Sequence, residues 1–488
     1  METSSTIQDV TLVEFWEKLE GLLEVNVRNE SEVNSALVSF VKITADNYHS
    51  LIKCDQDLYR IGLMLVESPM FEYTTNFCLR KLLSLLSIDL LELNLKLIIA
   101  YIILYKCKID LHALDIILEN QGFQVLYNNI YSNFAYLNKY GDEHLGVVNP
   151  EREFGGNGPS YSRKEADVEI IGTIKHLTTI LIDVMYQFFK YSKCQIANIQ
   201  LIDDFFIYYL VSSIRSDVID DIMNNVKFKL LLALNEQYMI LEYEYDIENK
   251  AYEFLINHNM SKDFIGLLLL KFNRETDTSL LIMMCKAIYI ILTKDLKVAK
   301  DFFYLNDLHV FVDVLLRNLN NISDNEEILR HTYLRVLTPL LNNTELATTE
   351  YHKSQISATL RYFSNVDNFS STENAAPQQK TTSRLASKCL RDVQWLDCDN
   401  QNLYDQNDSE ESRRSSISVK SPSDTPLDPT LANAAPHLYR NLQNSYSADS
   451  INHKSNQQIP PPPPPSRKLQ HRQGSDRKLA TAKLGALR

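Results

Sequence analysis

Apolar side chains recur every three or four residues from Val10 to Phe363, the period of helices that each bury one face. The first segment, Val10–Val25, carries Leu12, Val13, Phe15, Trp16, Leu19, Leu22 and Leu23. The pattern continues over Val33–Ile52, Leu58–Val66, Phe71–Leu86, Leu90–Tyr105, Leu111–Leu118 and Phe123–Leu137. It resumes over Val168–Phe189, Ile196–Ile214, Val218–Leu241, Ala251–Asn257, Phe264–Phe272, Ser279–Leu292, Leu308–Leu319, Ile328–Leu346 and Glu350–Phe363. Alternating strand patterns are absent, and connections such as Ser68-Pro69 and Gln121-Gly122 are short, which predicts antiparallel helical pairs stacked in a row. The pairs recur at about forty residues, a spacing that suits armadillo- or HEAT-like repeats without a strict sequence repeat. The expected class is therefore all-α, an armadillo/HEAT-like helical superhelix over residues 1–365.

The break is 138–167, where Gly141, Gly146, Pro150, Gly155, Gly156, Gly158 and Pro159 mark a mobile loop inside the stack. Beyond Phe363 the pattern weakens. Residues 366–396 read as a linker and a docking helix, with Leu385, Cys389, Val393 and Leu396 on one face; a short partner-binding segment is the other reading. Residues 397–488 are rich in Ser, Asn, Gln, Asp and Pro and are expected to form a disordered tail.

Two helical stretches carry polar residues inside an apolar pattern. In Phe228–Leu241 these are Asn235, Glu236 and Gln237. In Ile328–Leu346 they are Arg330, His331 and Arg335, followed by Asn342 and Asn343. Pro339 lies within the second stretch, where it removes an amide donor and crowds the carbonyl of Arg335, so a kink or restart is expected there. Thr344 is placed to cap a following helix. On helix physics alone both stretches read as core helices with solvated polar groups; for the block in Phe228–Leu241, presentation to a partner from the end of one repeat is an equal alternative.

Composition narrows the function classes. Twelve glycines in 488 residues argue against a barrel, a propeller or a nucleotide-loop enzyme. Residues 1–365 carry 33 Lys and Arg against 49 Asp and Glu, and the remainder 16 against 13, an acidic body with a mildly basic tail. That charge does not suit nucleic acid. The seven cysteines include no CxxC pair and read as buried, reduced thiols of a cytosolic protein. METSSTIQDV has neither the basic start nor the apolar centre of a secretory signal. Leu82–Tyr105 is the most lipid-like stretch, but Asp89, Glu92 and Lys96 interrupt it, and a buried helix stiffened by a Glu92–Lys96 pair is expected instead of a membrane span.

The tail holds the clearest short motif. Pro460, Pro461, Pro462, Pro463, Pro464 and Pro465 precede Ser466, Arg467 and Lys468. Such a run adopts polyproline II on its own, and Pro462, Pro465 and Arg467 form the PxxPx-basic arrangement that fits the aromatic slots and acidic pocket of an SH3 groove. Profilin binding to bare polyproline and a stiff spacer are the alternatives. Ser416, Ser421, Thr425 and Ser475 sit in basic or proline-directed contexts and are candidate phosphosites whose charge would oppose that pocket. The seven Lys and Arg after Pro465 also suit an anionic membrane, but no apolar face accompanies them.

No catalytic constellation is legible: no HExxH, no nucleophile elbow, no phosphate-cradling Gly-Lys-Ser/Thr loop, no paired Cys/His metal spacing. The chain is expected to bind and not to catalyse, with no cofactor and no metal. Asp203-Asp204 and Asp220-Asp221 fall at helix starts, where carboxylates favour the positive dipole end.

LLLALNEQYM (Leu230–Met239) and LRHTYLRVLTPLLNNTEL (Leu329–Leu346), together with RLASKCLRDVQWL (Arg384–Leu396), resemble the signature segments of the WISH/DIP family of activators of the actin-related protein 2/3 (Arp2/3) complex. The acidic body and C-terminal proline ligand are similar to the fungal, low-dye-binding branch of endocytic actin-patch proteins. Animal relatives carry an N-terminal SH3 domain, whereas this chain carries an SH3 ligand. The resemblance implies an armadillo-like domain that binds the complex and activates it without a preformed filament, seeding linear actin filaments. It also implies a cytoplasmic protein at cortical actin patches, and the proline run adds recruitment or regulation through SH3-domain endocytic proteins. Asn235, Glu236, Gln237, Arg330, His331, Arg335, Asn342 and Asn343 are the candidate partner-binding residues. The competing reading is a non-nucleating helical scaffold for SH3 proteins.

Overall fold

Helices whose apolar stripes are too wide to be covered by one neighbour find cover by stacking in two rows. The computed structural model describes residues 2–141, 165–192, 194–323, 326–369 and 377–396, with side chains from residue 12 onward except 165–167. Among the described residues there are α-helices and short 3-10 turns, and no strand. The fold class is all-α, of the armadillo/HEAT-like kind.

Six helices form one row, each packed on the next: α1 (Leu93–Ile109), α2 (Glu165–Tyr191), α3 (Ile222–Tyr245), α4 (Thr278–Thr293), α5 (Glu327–Asn343) and α6 (Pro377–Asp392). A second row consists of Gly122–Tyr140, Asp204–Ser212, His258–Phe272, Leu305–Asn321 and Lys353–Ser364. Each of these packs on the helix of the first row that follows it, and the first four also pack on their successors. The core runs between the rows. Phe272, for example, lies 4.7 Å from Phe311 and 5.8 Å from Tyr333, measured between ring centroids, which ties three helices of two rows into one cluster. In α4 almost every side chain from Leu280 to Leu292 is buried, the mark of a helix covered on all sides.

Side-chain bonds along the first row show the true period. Gln237 reaches across 48 residues to Phe189, Lys286 across 50 to Glu236, and Asn343 across 51 to Leu292. The repeat is thus longer than the forty residues expected. The difference lies in a short extra helix after each of three row helices: Lys250–Leu255, Leu296–Asp301 and Leu346–Thr349. The first of these coincides with the expected Ala251–Asn257; the other two are so short that they leave too few periodic positions to be read from apolar spacing.

Local chemistry explains most boundaries. Asp203 splits Ile196–Ile214 in two, because its carboxylate caps the second piece by accepting from the Phe206 amide at 2.9 Å. Asp221 caps α3 in the same way, accepting from the Asn224 amide at 2.6 Å. Phe71–Leu86 also divides, at Thr74, whose hydroxyl turns back to the Met70 carbonyl at 2.6 Å. Gly122 follows Gln121, which has a φ of 60°, and a Cβ on Gly122 would lie 2.1 Å from Ile117 Cγ2, so this turn needs glycine.

Three expectations are corrected. α5 is continuous through Pro339, with no restart, and Thr344 ends it. The Thr344 hydroxyl donates to the Leu340 carbonyl and accepts from the Leu346 amide at 3.3 Å. Glu92 is the residue before α1 and does not pair with Lys96; the ammonium donates instead to Asn129 Oδ1 at 3.0 Å, and Asn129 in turn donates to the Leu86 carbonyl. Among the described cysteines Cys54 is exposed, while Cys78, Cys107, Cys194, Cys285 and Cys389 are buried and free. No described helix is long and apolar enough to cross a membrane. The proline tract 460–465 with Arg467 and Lys468, and the candidate phosphosites Ser416, Ser421, Thr425 and Ser475, lie outside the described residues, as does 142–164 of the expected loop.

Candidate partner-binding stretches

The polar block of α3 sits in the middle of the first row, with neighbours on both sides. Gln237 is buried and its amide donates to the Phe189 carbonyl at 2.8 Å, near the end of α2. That carbonyl belongs to the last turn of α2, so Gln237 ties the end of one repeat to the next. Glu236 faces the other side and takes the Lys286 ammonium of α4 at 2.6 Å, with the two side chains 12% and 3% exposed. Asn235 is fully buried, and its Oδ1 accepts from Asn249 Nδ2 at 3.1 Å. Asn249 itself caps the Lys250–Leu255 helix through the Tyr252 amide. Three consecutive polar residues therefore tie α3 to three different helices.

A second ion pair repeats the α3–α4 tie further along. Glu242 accepts from Lys294 at 2.8 Å, and the same ammonium lies 4.6 Å from the centre of the Tyr252 ring. Six residues on α3 match eight on α4, so the two helices run in the same direction.

In α5 the polar residues meet a buried carboxylate that the sequence reading passed over. Glu327, only 2% exposed, pairs with Arg330 one turn on and accepts from the Thr382 hydroxyl of α6. Arg330 also donates to the Ile322 carbonyl at 2.7 Å and lies 5.2 Å from the centre of the Phe363 ring. His331 Nε2 is 2.9 Å from the Gln378 carbonyl of α6 and 3.6 Å from Glu327. Burial, then the guanidinium groups of Arg335, Arg330 and Arg384, push the imidazole down to about 4, against the hydrogen bond to Gln378, which pulls the other way. The ring is therefore neutral despite the nearby carboxylate. Since a carbonyl can only accept, the proton sits on Nε2 and the ring donates to Gln378.

The far end of α5 holds the same neighbour. Asn342 donates to the Asp392 carbonyl at 3.1 Å, and the Trp395 indole donates to the Leu341 carbonyl at 3.2 Å. Asn343 points the other way, to the Leu292 carbonyl that closes α4, at 2.8 Å. On the second row, Ser383 of α6 donates to the Ser364 carbonyl, and Ser357 to the Leu396 carbonyl.

These contacts place four of the eight candidate residues inside the stack. Asn235, Gln237, Arg330 and His331 are buried and bonded within the chain, so they do not reach a partner while the stack is intact. Glu236, Arg335 and Asn343 are half-buried, and Asn342 is exposed. The two stretches do not converge on one surface patch through their polar side chains; they brace successive joints of the row. Lys286, Asn249, Glu327 and Thr382 complete those joints and escaped the sequence reading. Lys286 did carry a signal, a lone cation inside the apolar run LLIMMCKAIYIIL.

A family model described as the SPIN90/Ldb17 leucine-rich domain matches residues 220–356, a span that begins just before α3 and holds both braced stretches. Protein LDB17 of Saccharomyces cerevisiae is 46% identical over 457 residues, which cover 90% of this chain and 92% of that protein. Protein LDB17 of Eremothecium gossypii is 47% identical over 385 residues, 79% of this chain and 82% of that one. Protein dip1 of Schizosaccharomyces pombe is 29% identical over 161 residues, 32% of this chain and 42% of its own length. With identity of this order running through the body and beyond, the chain belongs to the SPIN90/Ldb17 family, the WISH/DIP family that its braced stretches resemble.

Proposed function

We propose that this protein regulates actin assembly by binding the Arp2/3 complex and activating it without a preformed filament, so that linear filaments are seeded at endocytic cortical patches. Family membership carries the reading: both braced stretches fall in the matched domain, and the likeness extends to dip1 as well as to the LDB17 proteins. No covalent step is needed. A ligand that prefers one of two conformations shifts the population by its difference in affinity, and moving a complex from almost wholly inactive to almost wholly active takes about 5.5 kcal/mol of such preference. A stack whose repeats are tied to one another by buried ion pairs and amide bonds supports that role, because a surface that yields on contact loses part of this difference in its own deformation. The test mixes the purified full chain with actin and the complex, with and without seed filaments. The proposal expects a shorter lag in the unseeded reaction, and an unchanged lag sinks it.

The run of six prolines with Arg467 favours recruitment by SH3-domain endocytic proteins in the cytoplasm, and profilin is a second candidate for the same run. It also keeps a scaffold without nucleating activity as the second reading. Pro462→Ala/Pro465→Ala/Arg467→Glu separates the two: an activator keeps its unseeded nucleation in vitro and loses patch recruitment, whereas a scaffold has no nucleation to keep.

A further inference from the structure

The helix that closes the row has an unusual outer face. In α6 the buried side chains are Thr382, Ala386 and Cys389, one turn apart, and the opposite side presents Lys380, Arg384, Lys388 and Arg391, all exposed. Successive cations three or four residues apart form a single stripe about 16 Å long. The only acid on the helix is Asp392 at its end, 3.5 Å from Arg391. Lys380, Arg384 and Lys388 have no acidic partner among the described residues.

That arrangement works against the helix that carries it. Like charges four residues apart repel, and Lys380 adds a cation to the first turn, where the helix dipole already concentrates positive charge. A solvated face selected for stability would alternate Glu with Lys. It also contrasts with the chain before it, in which residues 1–365 hold 49 acids against 33 bases. The rest of α6 is spent on docking to α5 and to Lys353–Ser364, so the stripe is held rigid and displayed.

We propose that the α6 stripe is a docking surface for an acidic segment of a protein partner, carboxylates engaging Lys380, Arg384, Lys388 and Arg391 along about three helical turns. This inference is independent of whether the partner is the Arp2/3 complex. A narrow segment fits better than an anionic membrane. An anionic membrane would need an apolar face to insert, and α6 offers no exposed large apolar side chain. A nucleic-acid backbone is a long polyanion that outruns one helix and meets a body of net negative charge.

The test uses the full chain and a polyglutamate peptide carrying a benzoylphenylalanine, with crosslinks mapped by mass spectrometry. Crosslinks are expected within residues 377–396, weakening as salt rises. They should fall about fivefold or more in Lys380→Glu/Arg384→Glu/Lys388→Glu and persist in the control Lys262→Glu/Lys297→Glu/Lys300→Glu, which reverses three exposed cations elsewhere. Glu favours helix and suits the dipole, so the stripe variant should melt no lower than the parent. Crosslinks confined to 467–488, equal loss in both variants, or stripe-dependent sedimentation with phosphatidylserine vesicles in place of crosslinking overturns the proposal.

Discussion

The Glu327 carboxylate, buried at the start of α5, accepts the hydroxyl proton of Thr382 on α6, 55 residues further along the chain. This bond joins the last helix of the row to the one before it, beside the Arg330 guanidinium. Thr382→Val keeps the shape and removes the donor, leaving a buried carboxylate short of one partner. The variant should lose about 1–3 kcal/mol. Trp395, bonded to the Leu341 carbonyl at the other end of the same joint, reports it directly: urea unfolding followed by its fluorescence in a Trp16→Phe background should show an earlier transition than in the parent with Thr382 intact.

The Glu236–Lys286 pair makes the joint between α3 and α4. With exposures of 12% and 3% it is nearly dry, so breaking it strands a charge. Lys286→Met should cost about 3 kcal/mol, whereas Glu236→Leu/Lys286→Met should recover most of that, since two apolar groups need no counter-charge. Thermal melts of the single and double variants check this, and a double variant no better than the single one contradicts it.

His331 makes the α5–α6 joint sensitive to acid. Its folded value is about 4 against an unfolded 6.5, so between those pH values the unfolded chain binds the extra proton. Stability from this group is complete above about pH 6.5 and falls as the pH drops towards 4. Below 4 both states are protonated and the loss stops growing. At pH 5.5 the loss is about 1 kcal/mol. His331→Gln retains a donor for the Gln378 carbonyl and cannot titrate, so the difference in its denaturant midpoint between pH 7.5 and 5.5 should be smaller than in the parent.

The rows of helices were legible because apolar spacing survives in long elements; of α6 only the second half was, its buried Cys389 being followed by Val393 and Leu396 just past its end. The direction of the polar residues was not. Asn235, Glu236 and Gln237 interrupt an apolar stripe just as a solvated face would, and only the presence of Phe189, Lys286 and Asn249 on three sides turns them inward. A helix in the middle of a stack keeps little solvent face along its centre, and periodicity within one helix does not reveal that. Glu327 escaped for a related reason: a charged residue at a helix start already has a sufficient explanation in the dipole, so its burial was invisible. The α6 stripe lay within a segment read for its apolar side alone.

A last prediction separates a bracing role from a contact role in the stretch that marks the family. Arg330 is buried between Glu327, the Ile322 carbonyl and the Phe363 ring, and Asn342 is exposed with one bond to the Asp392 carbonyl. Arg330→Ala leaves Glu327 without its counter-charge and should cost about 3 kcal/mol. Asn342→Ala removes one exposed bond and should cost about 1 kcal/mol or less. If these residues brace the stack, unseeded actin assembly by each variant follows its folded fraction, and Arg330→Ala regains parental activity when cooled well below its melting temperature. If Asn342 meets the partner, Asn342→Ala loses activity at every temperature while melting close to the parent. Measuring both melting and the polymerisation lag on the two variants decides between these outcomes, because stability and activity move together in the first case and apart in the second.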